Sequence, residues 1–555
     1  MKRFAVKDSD NSSETMRRRS VNFDDVLEEL GELGTFQIFT YILICLPVLF
    51  GASSSLSYVF TAGVPEYRCF IPQCEDPHDT SYNVPWMKWA IPNQISENQV
   101  IGVETDSCSR YAAKNESTAT NNTCTENAFT NTIERCSEWI FDENERTIIN
   151  EWNITCLENQ WKISLVGSSH FAGIVVGSLV FGVLADRFGR KLVFIFCIFL
   201  MSVSGALQAF SPNYMTFVIF MFINSLGTAG VYPLAFVLVV EMVGKRKREA
   251  SGMVLNYFYA IGEAILAPLA WYTRDWVHLQ LIISLPALLF VAYYWVIPES
   301  VRWLLANRRK TEAKSIIMKV AKINKVTMSN SLLDDLEEMS QTKDEDPDDQ
   351  KENILLIITQ MIKSRKLLIR FLIIYLIWAV SAFVYYGLSI NSTTLGGNKY
   401  LNFALVSLVE IPGYTIAWIC IDKLGRRISL AGSLLLCGVT CTLTIFINTV
   451  TSNWAVVILF LVGKLGITSA FGVVYVHTAE MIPTMVRSVG VGSTSTVARC
   501  GALLAPFAPL LGIFYKPLPM IVFGGLSILA GILALQLPET RGIKLPETVK
   551  EAKII

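Results

Sequence analysis

Twelve long apolar stretches constrain this 555-residue chain more than any other feature. A helix rising about 1.5 Å per residue needs about 20 residues to cross a hydrocarbon layer roughly 30 Å thick. The stretches run Phe36–Ala62, Ile163–Ala185, Leu192–Phe210, Tyr214–Val240, Ser251–Tyr272, Leu279–Ile297, Leu367–Ile390, Tyr400–Ile421, Ile428–Val450, Trp454–His477, Val489–Phe514 and Leu518–Leu537. Backbone polar groups in lipid must be paired within their own segment, so runs of this length predict helices. Composition agrees, since only 17% of residues are charged, against about a quarter in a soluble chain. The expected fold class is an all-α integral membrane protein with 12 transmembrane helices. Met1–Gly34 is polar, ends in an acidic stretch, and lacks the order of a cleaved signal peptide. The first apolar stretch is therefore expected to stay in the mature protein.

Charge placement orients the spans. Basic clusters lie at Arg17–Arg19, Arg187–Lys191, Lys245–Arg248, Arg308–Lys310 and Lys423–Arg427, and an even number of spans puts all of them on one side. The positive-inside rule makes that side cytoplasmic, with both termini on it. The loop 63–158 falls on the other side and carries 16 acidic against 6 basic residues. It holds Cys69, Cys74, Cys108, Cys124, Cys136 and Cys156, an even set that reads as up to three disulfides in an oxidising compartment. Sequons at Asn115, Asn121 and Asn153 sit in the same loop, and Asn391 follows the seventh span, which also ends outside. A folded, glycosylated extracellular cap on a plasma-membrane protein is the expectation. Residues 303–365 form a second polar segment, whose acidic run at 344–349 reads as solvated linker.

Polar motifs recur in order. Gly182–Lys191 (GVLADRFGRK) is echoed by Asp422–Arg427 (DKLGRR), Glu241 and Arg248 by Glu480 and Arg487, and Pro298–Ser300 by Pro538–Thr540. The offsets are 236, 239 and 240 residues, which marks a six-plus-six duplication. The expected division is a segment 1–35, a bundle 36–302, a linker 303–365, a second bundle 366–537 and a tail 538–555. Repeats of this kind support alternating access around a midplane site. Within the loops, Gly182, Asp186, Arg187, Gly189, Arg190, Lys191, Glu241, Asp422, Gly425, Arg426, Glu480 and Arg487 are read as gating residues. A carboxylate beside a basic cluster makes charge-assisted contacts across a helix interface, expected only when the cytoplasmic side is closed.

The GxLxDRxGRK loop resembles the signature of the major facilitator superfamily, and Pro298–Leu305 (PESVRWLL) is similar to a motif of sugar porters and organic ion carriers. The large cysteine-rich first loop resembles the organic cation, anion and carnitine carriers and is foreign to sugar porters. Asp24–Gln37, Leu408–Tyr414, Ala479–Gly492 and Leu537–Gly542 are also similar to that family, so the resemblance covers nearly the whole chain. It implies the major facilitator fold and transport of small organic ions.

Charged side chains near the bilayer centre are costly and mark a pathway by default. Glu263, Glu410, Lys464 and Arg499 each lie roughly ten residues from a span end, or about 15 Å. Mutual pairing as scaffold is the structural alternative. Aromatic faces attract amines, and Tyr232, Phe236, Tyr385 and Tyr475 lie in the spans; packing is the alternative for each. The resemblance implies cavity roles for Tyr232, Phe236 and Tyr385. It also sets Arg499 where cation carriers have aspartate and anion and carnitine carriers have arginine, while Glu410 matches the acidic residue of the cation and carnitine branches. One acid and one base suit a zwitterion such as carnitine or a betaine. An organic anion held by Arg499 is the alternative, and a non-transporting nutrient sensor another. The substrate is therefore expected to be a small organic cation or zwitterion, with sodium or protons as candidate coupling ions. No enzyme motif is present, the four histidines show no metal-ligand spacing, and no cofactor, metal or nucleic-acid partner is expected.

Overall fold

The computed structural model describes residues 23–72, 74–75, 81–94, 104–105, 107–114, 124–125, 128–142, 144–327, 356–447, 453–543 and 545–554. Among the described residues, eleven helices are long and apolar enough to cross a membrane. They are α1 (Thr35–Thr61), α2 (Cys156–Phe188), α3 (Arg190–Gln208), α4 (Tyr214–Met242), α5 (Lys245–Thr273), α6 (Trp276–Val296), α7 (Arg365–Thr394), α8 (Lys399–Leu424), α9 (Arg426–Phe446), α10 (Trp454–Met481) and α11 (Thr484–Phe514). The twelfth, α12 (Leu518–Ala534), is shorter at 17 residues. Val183, Leu289 and Trp295 are each more than two-thirds exposed, a cost in water and the natural state against lipid.

The helices form two halves of six. In the first, α4 packs on α2 and α3, and α1 on α5; in the second, α9 packs on α10 and α12, and α7 on α11. Bare backbone permits the closest of these contacts. A Cβ on Gly262 of α5 would stand 2.4 Å from the Leu49 carbonyl of α1, and one on Gly501 of α11 would stand 2.3 Å from the Ala379 carbonyl of α7. The two glycines are 239 residues apart, so the repeat read from polar motifs extends to apolar packing. The halves meet through α2 against α11 and α5 against α8.

Part of the expected linker belongs with the first half. Helices Val301–Ala306 and Lys310–Asn324 follow α6, and the latter packs with Phe23–Glu29 around Leu27, Leu30 and Ile317. Asn324 accepts from the Phe36 N–H at 3.0 Å and donates to Gln37 at 2.8 Å. The acidic run at 344–349 lies outside the described residues.

The described residues of the loop between α1 and α2 fold into a cap with three antiparallel strand pairs. Tyr67–Cys69 pairs with Trp139–Phe141, Asn93–Gln94 with Glu104–Thr105, and Ser109–Ala113 with Phe129–Arg135. Disulfides join Cys69 to Cys136, Cys74 to Cys124 and Cys108 to Cys156, choosing among the pairings that spacing left open. Arg68 is buried against Glu75 and donates to the Ser81 and Tyr82 carbonyls, so its charge is met on every side. Asn153 is exposed at a left-handed helix end, while Asn115 and Asn121 lie outside the described residues. Asn391 corrects the expectation of a glycan there. It sits in the last turns of α7, 3% exposed, with its amide donating to the Gly387 carbonyl at 2.8 Å.

Candidate functional site

Helix α8 is interrupted. Pro412 has no N–H for the Leu408 carbonyl, although Val409 still donates to Leu405 at 3.0 Å and accepts from Gly413 at 3.1 Å. Glu410 follows at once. Its Oε1 lies 2.8 Å from Nζ of Lys464 on α10, and neither side chain reaches solvent. The ammonium also donates to Ser389 Oγ at 2.8 Å and to the Tyr385 carbonyl at 3.3 Å, and lies 3.4 Å from the centre of the Tyr385 ring. The Glu410 oxygens receive no well-aligned hydrogen bond, so charge rather than hydrogen-bond geometry holds the pair. Glu263 of α5 faces Glu410 and Lys464 from the other half, fully buried, and neither of its oxygens receives a hydrogen bond.

Beside this sealed cluster lies a more open wall. Tyr232 donates to Asn256 at 2.6 Å and packs edge-on to Tyr259, while interacting electrostatically with Tyr475 of the opposite half. Phe236 and Tyr475 are 39% and 41% exposed, and Tyr475 rests edge-on against Trp378 with centroids 4.3 Å apart. Arg499 is half-buried and donates to Ser495, one turn earlier on α11, at 2.9 Å. Tyr386 interacts with both Arg499 and Glu263 and so links wall to cluster. The eight expected residues therefore divide in two. Glu263, Glu410, Lys464 and Tyr385 form a buried knot, and Tyr232, Phe236, Tyr475 and Arg499 line accessible surface. Glu410 was expected to work opposite Arg499; in this conformation its counter-ion is Lys464.

Above the knot the halves are closed under the cap. Phe60 stacks on Tyr400 at 5.4 Å and meets Phe403 edge-on, Phe171 meets Tyr386 at 4.7 Å, and Ser168 donates to the Leu503 carbonyl at 3.0 Å. Glu145 of the cap pairs with Lys399 and accepts from the Tyr400 hydroxyl at 2.7 Å. A cavity of about 240 Å³ lies among these contacts, lined by Phe60, Glu145, Lys399 and Tyr400 and, from both halves, by Tyr58, Arg274 and Pro506.

Residues 106–551 match the family described as sugar (and other) transporter. An organic cation transporter protein of Drosophila melanogaster is 36% identical over 96% of this chain and 95% of its own length. The human organic cation/carnitine transporter 2 is 34% identical over 96% and 94%. This chain belongs to the organic cation and carnitine transporter family of the major facilitator superfamily. The E. coli xylose transporter in a partially occluded inward-open conformation superposes with a TM-score of 0.59 at 14% identity, covering 92% of this chain and 100% of that one; at such identity the likeness concerns fold alone. The carrier's relatives are transporters and not enzymes.

At the carrier's basic end the repeated motifs build two matching networks. Glu299 accepts from the Arg190 and Lys191 N–H groups at 3.0 and 3.1 Å, capping α3, and Glu539 accepts from those of Arg426 and Arg427 at 2.8 and 3.1 Å, capping α9. Gly189 and Gly425 precede those helices at φ of 106° and 91°, where a side chain would collide with the capping carboxylate. Arg190 reaches Asp186 at 3.0 Å and Glu241 at 3.8 Å, and Glu241 accepts from Ser300. In the second half Arg426 pairs with Glu480 at 2.9 Å, which accepts from Thr540 at 2.5 Å. Arg487 donates to the Ile482 carbonyl at 3.4 Å. These contacts stay within one half each, whereas contacts tied to closure of that side were expected. Glu299 and Glu539 were visible in the PES and PET repeats, but their capping role was not.

Proposed function

We propose that the chain is a secondary carrier of small organic cations or zwitterions that works by alternating access at the plasma membrane, with both termini cytoplasmic. The observations that carry this reading are a half-exposed Arg499 and the aromatic wall of Tyr232, Phe236 and Tyr475 from both halves, linked through Tyr386, which interacts with both Arg499 and Tyr475. A guanidinium fits a carboxylate, and the rings fit a quaternary or protonated amine. The names of the relatives, an organic cation transporter and an organic cation/carnitine transporter, point to the same chemistry. Glu410 is neutralised by Lys464 in this conformation, so the reading rests on the aromatic wall for the ammonium. The cap end is taken as extracellular, because disulfides form in oxidising compartments and the basic end follows the positive-inside rule.

The test is uptake of labelled carnitine and labelled tetraethylammonium into proteoliposomes holding the purified chain. Accumulation of either above protein-free vesicles is expected. Binding of either without accumulation would instead support a sensor, and accumulation of organic anions alone would support the Arg499-centred alternative.

A further inference from the structure

We propose that the Glu263–Glu410–Lys464 cluster is a proton-binding site whose occupancy changes as the two halves move, with Glu263 holding the proton. Three ionisable groups meet here with two acids and one base. Lys464 is committed to Glu410 at 2.8 Å and to Ser389 at 2.8 Å. Glu263 is fully buried, and as a carboxylate it has nothing to accept from. A buried charge without a partner costs several kcal/mol, which favours the neutral form. Carrying a proton, Glu263 becomes a donor to the carboxyl it faces, Glu410, and the cluster as a whole becomes neutral.

Among the described residues, no other charged group faces Glu263. Its further neighbours are Tyr58 of α1, Tyr259 on its own α5, Tyr385 and Tyr386 of α7, and Tyr414 of α8. All are phenols, neutral at physiological pH. The cluster also spans the interface, since α5 belongs to one half and α8 and α10 to the other. Any movement that parts α5 from α8 separates Glu263 from its acceptor and changes proton affinity, and a site whose affinity differs between two states couples the ion to the transition. The coupling step rests on the carrier reading above, while protonation of Glu263 does not.

Infrared difference spectroscopy of the purified full chain tests the protonation. A carbonyl band from a buried protonated carboxyl is expected at neutral pH, shifted in deuterium oxide and absent in Glu263→Gln, which mimics the neutral side chain. Glu410→Gln removes the carboxylate that neutralises Lys464 and leaves Glu263 the one acid beside that ammonium, so Glu263 should ionise and the band should be lost there too, returning in Glu410→Gln with Lys464→Met. A band untouched by both variants would overturn the assignment, and loss of the band on adding sodium at fixed pH would give the site to a metal cation instead. Coupling is read in proteoliposomes with carnitine and tetraethylammonium, the membrane potential clamped. For one proton per substrate, steady-state accumulation should change about tenfold per pH unit across the membrane, and Glu263→Gln should abolish that dependence. Accumulation by the native chain that ignores the gradient would overturn coupling. If neither probe accumulates, the carrier reading falls while the spectroscopic assignment stands.

Discussion

Replacing Lys464 with methionine should destabilise the protein more than any other single change at the cluster. Two unit charges 2.8 Å apart attract by about 6 kcal/mol at an effective dielectric near 20, before desolvation is subtracted. Methionine keeps the stem's volume but strands Glu410 beside Glu263, two carboxyls with no cation. Breaking a buried pair from one side typically costs about 3–5 kcal/mol, whereas replacing both partners with neutral groups is often nearly neutral. Lys464→Met alone should therefore lower the melting temperature of the detergent-solubilised protein sharply, and Lys464→Met with Glu410→Gln should recover most of the loss. Thermal unfolding followed by fluorescence-detected gel filtration measures both. If the double variant is as unstable as the sum of the single ones, the pair is not energetically coupled and the argument from burial fails.

Arg499→Ala should impair uptake of carboxylate-bearing zwitterions at least fivefold while sparing quaternary amines (about 1 kcal/mol of lost recognition); equal loss of both, at normal surface level, would make Arg499 scaffold. Arg426→Ala removes the pairing with Glu480 within one half, so thermal stability should fall while equilibrium substrate binding changes less than twofold, compared by thermal unfolding and by radioligand binding. Glycosidase digestion should lower the apparent mass, Asn153→Gln should remove part of that shift, and Asn391→Gln should remove none. Asp24 is pushed up by burial, but Arg248 and Arg302 outweigh this and hold its carboxyl below the usual range. Its contribution is present above the ordinary carboxylate value near 4 and fades as pH falls through its own lower one, so Asp24→Asn should destabilise by about 1 kcal/mol or less at neutral pH and make no difference in strong acid.

The spans, the duplication and the family were legible because each follows from composition along the chain. Apolar run length reports the bilayer, and repeated motifs report their own spacing. What failed was rotation about helix axes. Glu410 and Lys464 are 54 residues apart on different helices, and nothing local says that one turns toward the other rather than toward Arg499. Asn391 failed for the same reason, since a sequon describes three residues and not the helix whose last turns enclose them. Ser389 and Asn256 went unnoticed because a serine or an asparagine in a span has no signature until a partner stands beside it. Glu263 was singled out purely by depth, and depth is what leaves it without a donor.

The glycine contacts at Gly262 and Gly501 bring α1 onto α5 and α7 onto α11 with no side chain between the backbones. Such joints have little compliance, so each half resists bending and would tilt as a stiff plank in the alternating access proposed above. A spanning helix of 27 residues, the length of α1, is about 40 Å long, and tilting it about 10° around its middle carries each end about 3.5 Å. That displacement exceeds the reach of the Glu145 contacts to Lys399 and Tyr400, while groups at the pivot barely shift. Under the alternating access proposed above, leverage of this kind would let a change of an ångström or less at the knot release the fastening at the cap.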